Sequence, residues 1–299
     1  MEFAELDKLY VGEISHGETY PNEVTWLPGD SLELYNQHKA SPTHAELLAK
    51  HGWDKDPERL TYYHNAQGFR DHRDFNEIDP KTACRLAIGC SVTYGEGVMY
   101  ADTFPSVLER TTGVPTYNLG LPGRGLEAYF RVLSYWLPRL QPDMVYLQKT
   151  STYRREVFND DMNDLTGFEP IGAWSIDDNP DNPKGDIPMK IRLLSDYDVY
   201  LNAKRSLFAI ESLCRQNNTE LRIIDDWKYI SNINKIASFG RDLQHPGKDW
   251  HRQVAQLFEE AGKPDLSDED LYYSHTRSKG SKVSIRNRLE KLWGKDTKA

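Results

Sequence analysis

The sequence predicts an α/β fold: a parallel sheet of flavodoxin type, a three-layer α/β/α sandwich with helices on both faces. Three observations carry that expectation. Short apolar runs suited to buried strands begin at residues 85, 115, 144 and 220. Each is followed by a helix or by a crossover containing one, the alternation that parallel sheets require. The first run, Arg85–Ile88, stops at Gly89 and passes through Cys90 to Ser91, which puts a hydroxyl at the carboxyl edge of the sheet, where open α/β folds bind ligands.

Taken in order, residues 1–80 are weakly periodic and rich in His, Pro, Asn and aromatics. They read as an irregular extension with a helical turn or two over Pro42–His51 and a strand at Leu60–Tyr63. The α/β domain then spans 81–265. After the Ser91 strand, Asp102–Thr112 reads as a helix closing before Gly113, and Pro115–Leu119 as the second strand. Leu126, Phe130, Leu133, Leu137 and Leu140 step by four, three, four and three, one apolar face at helical spacing. The third strand is Met144–Gln148. Residues 155–193 form a polar insertion of a length typical of binding loops and lids. A long helix follows over Asp196–Arg215, then a fourth strand at Glu220–Ile224. The last core helix, Asp249–Ala261, turns Trp250, Val254, Leu257 and Ala261 inward. Residues 266–299 differ in composition: from Thr276 onward eight Lys/Arg face only Glu290 and Asp296.

Composition narrows the function. The chain has 299 residues and 38% hydrophobic residues, enough for one large domain with decorations. A net charge of −9 argues against nucleic acid or an anionic membrane surface as partner. No apolar run is long enough to span a bilayer, and the acidic start MEFAELDKLY lacks a signal-peptide core. Cys84, Cys90 and Cys214 offer no disulfide framework, which together with the missing leader points to a reducing, cytoplasmic setting.

The residues that carry chemistry cluster at strand ends. Ser91 is the candidate nucleophile, with backbone N–H groups of its turn facing the crevice. Cys90 is a rival by adjacency, but its side chain should point away from the side Ser91 faces. Asn118-Leu119-Gly120 closes the second strand, and Asp242-Leu243-Gln244-His245-Pro246 precedes the last helix. These three blocks, in this order at these strand ends, resemble the SGNH (GDSL-type) hydrolase family over about Asn65 to Ala261. The resemblance implies a Ser91–His245–Asp242 triad in which His245 takes the serine proton and Asp242 orients the imidazole. It also implies an oxyanion hole built on the N–H groups of Ser91 and Gly120, beside Asn118, and ester hydrolysis without a cofactor or metal. The substrate class implied is a small-molecule or glycan ester such as a sugar O-acetyl group.

One block departs from the family. Its third strand normally ends in Gly-x-Asn-Asp, whose Asn completes the oxyanion hole; here Lys149-Thr150-Ser151-Thr152-Tyr153-Arg154-Arg155 follows. Ser151 or Thr152 is the expected substitute donor, and Arg154 and Arg155 are candidate carboxylate or anion contacts. Other readings stay open at this level: an O-acyltransferase, and an inactive SGNH scaffold that binds carbohydrate or protein. A third is a nucleotide-binding protein using GLPGRGLEAY as a phosphate loop, although the spacing is Gly-x-x-Gly-x-Gly and no Walker lysine is present. Asp242, His245, Asp249 and His251 do not fall at a compact metal-ligand spacing.

Overall fold

The computed structural model describes residues 22–152, 154–158, 168–171, 196–225 and 238–260. Much of the polar insertion, the stretch 226–237, Ala261 and the basic tail therefore lie outside the described residues. The described residues open with a short strand β1 (Glu23–Val24), helices α1 (Leu32–Ala40) and α2 (Pro42–Lys50), and β2 (Tyr62–Tyr63), which pairs antiparallel with β1. The helix expected near Pro42 is present. α1 is an additional helix that apolar periodicity does not reveal, because only Tyr35 is buried on it. Its signal was the cap: Ser31 Oγ accepts the Leu34 N–H at 3.1 Å, an interaction worth about 1 kcal/mol.

The α/β unit continues with β3 (Arg85–Gly89), the single-turn α3 (Ser91–Tyr94), α4 (Phe104–Thr112), β4 (Thr116–Gly120), α5 (Leu126–Leu140) and β5 (Met144–Lys149). A hairpin of β6 (Arg155–Phe158) and β7 (Phe168–Ile171) lies within the insertion, followed by α6 (Asp196–Gln216), β8 (Glu220–Asp225) and α7 (Lys248–Glu260). The central sheet runs β4-β3-β5-β8, all parallel. Every strand is followed by a helix-bearing connection, so all four carboxyl ends open onto one edge.

Alternation along the strands divides the core in two. Leu86, Ile88, Val145 and Leu147 face α5 and α6, meeting Leu133, Trp136, Leu137 and Ile210. Ala87, Tyr146 and Ile224 face α4 and α7, meeting Phe104, Leu108, Trp250, Val254 and Phe258. Two inward positions differ from expectation. Phe130 is 38% exposed, because the buried arc of α5 is centred on Tyr129, Leu133, Trp136 and Leu140 and leaves Phe130 at its margin. Leu257 only packs at the rim of its cluster, while Phe258, one position on, fills the core. α4 starts two residues later than expected, with Thr103 at its cap and Pro105 in the first turn, where a missing N–H costs nothing. No described helix is long and apolar enough to cross a membrane.

Residues 22–80 do more than decorate the sheet. Leu27, Tyr35, Leu48, Trp53, Leu60 and Tyr62 form a third core that includes Tyr94 of α3. Beneath it, Arg241 is fully buried and its guanidinium is paired with Asp30 at 2.7 Å. Its Nη1 donates to Pro57 C=O at 2.6 Å and its plane stacks over Trp26 at 3.7 Å. Tyr62 links the same carboxylate onward: its hydroxyl donates to Asp30 Oδ2 at 2.5 Å and accepts the Gly97 N–H at 2.9 Å.

Removing one member of a buried pair strands the other charge, at a cost of about 3–5 kcal/mol. Asp30→Ala is therefore expected to lower the unfolding free energy in urea by about that amount, whereas Asp30→Ala combined with Arg241→Met loses less. Equal losses in the two proteins would show that the stranded Arg241 charge carries no penalty.

Candidate active site

The site is assembled where β3 stops. A Cβ at Gly89 would fall 2.0 Å from Thr93 Oγ1 and 2.8 Å from Gln148 Oε1, so only glycine lets the following turn fold back this tightly. Cys90 caps α3 in extended conformation, and the turn ends at Gly95 with φ +88°, a left-handed geometry that favours glycine. The Ser91 carbonyl accepts the N–H groups of Gly95 (2.9 Å) and Glu96 (3.0 Å). Below the turn, Gln148 Oε1 accepts the Thr93 hydroxyl at 2.6 Å and the Cys90 thiol at 3.8 Å. The Cys90 side chain is thus buried against β5.

The other half of the site comes from the loop 240–246. Arg241 N–H donates to Gly97 C=O at 2.8 Å, which holds Asp242 against the glycine-rich turn. Asp242 Oδ1 accepts the N–H groups of Gln244 (3.2 Å) and His245 (3.1 Å), and Leu243 between them adopts φ 54°. Asp242 Oδ2 accepts from His245 Nδ1, and His245 Nε2 lies 2.8 Å from Ser91 Oγ. Asp242 therefore caps its own turn and orients the imidazole at once. Asp242 is 1% and Ser91 6% exposed, so this chain of hydrogen bonds sits at the edge of solvent with its carboxylate end dry.

Burial works against the charged form of His245. The hydrogen bond and charge of Asp242, with Glu96 and the Cys90 thiol behind, outweigh it and raise the imidazole to about 9. Glu96 was not singled out in the sequence, where it stands between two glycines. Its carboxylate lies 3.8 Å from His245 Nε2, and it is 6% exposed. Burial, reinforced by Asp242 and Asp30 and opposed by His245 and Arg70, pushes it up to about 7. Glu96, Gln148, Asp30 and Arg241 are the site residues that sequence reasoning missed.

The expected oxyanion residues are arranged differently from the sequence expectation. Asn118 is fully buried, its Nδ2 donating to the carbonyls of Thr93 (3.0 Å) and Tyr94 (3.4 Å). Its Oδ1 accepts the Gly120 N–H at 2.9 Å. The Gly120 N–H, expected to face the oxyanion, is thus bound within the protein, and Asn118 staples the Ser91 turn to β4 where a substrate contact was expected. Glycine is needed at 120 because a Cβ would fall 2.1 Å from the Tyr94 backbone nitrogen. Ser151 is half-buried at the end of β5, its carbonyl accepting the Arg154 N–H at 3.1 Å. Thr152 and Arg154 line a cleft with Leu126, Glu127, Asn202 and Ser206, between α5 and α6.

Arg155 does not stand free for an anion: its Nε pairs with Glu127 at 2.7 Å. Glu156 beside it binds Arg124 (3.1 Å) and Arg131 (2.8 Å). The phosphate-loop alternative meets a covered helix start, since a Cβ on Gly125 would fall 2.3 Å from Arg154 C=O. Glu127 already occupies the first turn, accepting the Glu156 N–H at 2.9 Å. His251 accepts the Phe104 N–H on Nδ1 at 3.1 Å, serving the start of α4. Among the described residues no three His, Cys, Asp or Glu side chains gather as metal ligands.

No family model and no curated protein matches the chain. Solved structures do match, among them the following two. One is a structure from Desulfitobacterium hafniense named for the lipolytic G-D-S-L family, 11% identical, with a TM-score of 0.37, covering 60% of this chain and 98% of that one. The other is a two-domain esterase active on acetylated mannans, 13% identical, with a TM-score of 0.29, covering 61% of this chain and 51% of that one.

The Gly120 contact is with backbone, which cannot swing aside as a side chain would. Gly120→Ala is expected to destabilise the protein by about 1–3 kcal/mol, as overpacking does, and to displace the Ser91 turn. A crystal structure of the variant with the Ser91–His245 contact intact would contradict this.

Proposed function

We propose that the protein is a serine esterase that acts on an oxygen ester through an acyl-enzyme on Ser91. The observation that carries the proposal is the unbroken run from Ser91 Oγ through His245 Nε2 (2.8 Å) and Nδ1 to Asp242. Ser91 Oγ bonds to the ester carbonyl carbon while its proton passes to His245 Nε2. The imidazolium so formed is stabilised by Asp242, and gives that proton to the departing alcohol as the carbon–oxygen bond breaks. Water then attacks the acyl-enzyme, surrendering a proton to His245, and Ser91 leaves with it as the acid is released.

The developing oxyanion needs donors. The Ser91 N–H is assigned first, since the first N–H groups of a helical turn have no partner within it. Ser151 is assigned the place of the family's asparagine, because it stands in the strand-end position that the missing block would occupy. With Gly120 bound to Asn118, this hole has fewer donors than the family resemblance implies, and loss of one donor costs about 10²–10³ in rate. A slow esterase follows. A small acyl group on a sugar hydroxyl is the substrate class suggested by the resemblance to SGNH hydrolases. The same shortage of donors is what favours the second reading, a scaffold that binds an ester or glycan without turning it over.

Labelling with a fluorophosphonate followed by peptide mapping tests the reading without knowledge of the substrate. Modification is expected at Ser91 in the wild type and at no residue in Ser91→Ala, which should also lose p-nitrophenyl acetate turnover. Labelling at Cys90, or none at all, favours the alternatives.

Because His245 must be neutral to accept the proton, and its raised value lies at about 9, kcat/KM should climb as pH rises through that region and fall away below it. His245→Ala should remove this limb together with most turnover. A profile already flat at neutral pH would contradict the assignment of His245 as the base.

A further inference from the structure

Glu96 faces the imidazole from the side opposite Asp242. Its carboxylate oxygen Oε2 lies 3.8 Å from His245 Nε2, the same nitrogen that meets Ser91 Oγ. Its position is forced by the fold on three sides. The Glu96 N–H is bound to Ser91 C=O, so it leaves the turn five residues after the serine. Gly95 and Gly97 on either side have φ +88° and +79°, so the chain turns sharply at both neighbours. Across the crevice, a Cβ on Gly29 would fall 2.0 Å from Glu96 Oε1, so the N-terminal segment closes directly over the carboxyl. Among the described residues no donor makes a hydrogen bond to this carboxyl; its one close charged partner is His245.

We propose that Glu96 is a positioning residue of the site, a second carboxylate that holds the His245 imidazolium from the Nε2 side and so sets the pH range in which Ser91 can be activated. The inference rests on the esterase reading for its kinetic consequence, but the interaction itself does not. An imidazole flanked by two carboxylates keeps its proton to a higher pH than one flanked by Asp242 alone. While protonated, it cannot accept the Ser91 proton, so Glu96 restrains the site at neutral pH. Where the imidazole is neutral, the same charge stabilises the imidazolium that forms during attack, so Glu96 then assists.

The groups that face this pair come from every neighbouring element. Ser91 and Cys90 approach from the β3–α3 turn, Asp242 from the loop before α7, and Asp30 and Arg70 from the N-terminal segment. His251 on α7 is held neutral, since burial, with Arg70 and His245, pushes it down to about 3. The carboxylates therefore outnumber the cations around His245, and neutralising Glu96 shifts the balance in one direction.

The test is Glu96→Gln, which keeps the shape and removes the charge. In an NMR titration of the His245 ring, carried out on the full chain without substrate, the midpoint is expected to fall by about one pH unit, equivalent to about tenfold in proton affinity. Glu96→Asp, still charged, should return the midpoint toward the wild-type value. In the pH–rate profile of p-nitrophenyl acetate hydrolysis, Glu96→Gln should exceed the wild type near neutral pH and trail it at the alkaline end. An unchanged midpoint in Glu96→Gln overturns the proposal, as does a profile merely scaled by one factor at every pH. If the midpoint falls while no variant or wild type turns over ester, the Glu96 inference stands and the esterase reading fails. Should Glu96→Gln not fold, the wild-type Glu96 carboxyl and His245 ring must titrate as a coupled pair; independent titrations overturn the proposal.

Discussion

The buried pair of Arg241 and Asp30 is the constraint on which the candidate site depends. Arg241 precedes Asp242 directly, so fixing the guanidinium against Asp30 and the carbonyl of Pro57 fixes the depth at which Asp242 enters the protein. Burying two such charges is costly unless their remaining donors and acceptors are met. Here Tyr62, Pro57 and the face of Trp26 meet them. The pair also joins parts of the chain that lie 211 residues apart, which is why the N-terminal segment belongs to the architecture of the site.

Around that anchor, two turns are pressed together until only glycine fits between them. A Cβ on Gly97 would meet Asp242 Oδ1 at 2.8 Å and Gly240 Cα at 3.0 Å, and Gly240 is limited in turn by Gly97. Close approach of backbones carries Asp242 and the Ser91 turn toward each other, and the His245 ring bridges the remaining gap. The left-handed Leu243 is the cost of that approach: a non-glycine residue at φ 54° is an unfavourable local conformation, held because Asp242 Oδ1 binds two N–H groups of the same turn. Strain of this kind at a site with a perturbed imidazole is a common mark of function.

The end of β5 and the hairpin after it serve packing. Gln148 reaches under the Ser91 turn and binds Thr93, so the end of β5 buttresses that turn. The next strand, β6, is tied to α5 by Arg124, Arg131 and Glu156 on one side and by Arg155 and Glu127 on the other. Arg155, which looked available for an anion, is used to fasten the hairpin to the helix, and the start of α5 is closed off.

The order of elements was legible in the sequence, because buried strands and amphipathic helices carry their periods locally. Strands beginning near residues 85, 116, 144 and 220 follow from short apolar runs. The juxtaposition of Ser91, Asp242 and His245 was legible only by resemblance, since no local period encodes a contact across 154 residues. Tertiary structure alone decided the rest. Phe130 sits at the margin of its helix because neighbouring α6 defines which arc is covered, and α1 forms with a single buried residue because Ser31 caps it. Asn118 and Gly120 were expected to face substrate, yet Asn118 Nδ2 binds the Ser91 turn and its Oδ1 takes the Gly120 N–H. Glu96 drew no attention in the sequence because a carboxylate between two glycines has no periodic signature; its meaning comes from the fold bringing Gly29 and His245 to it from either side. Composition and period determine which segments are buried, but the partner of a buried polar atom is set by which backbone reaches it first, and that is a property of the packed chain.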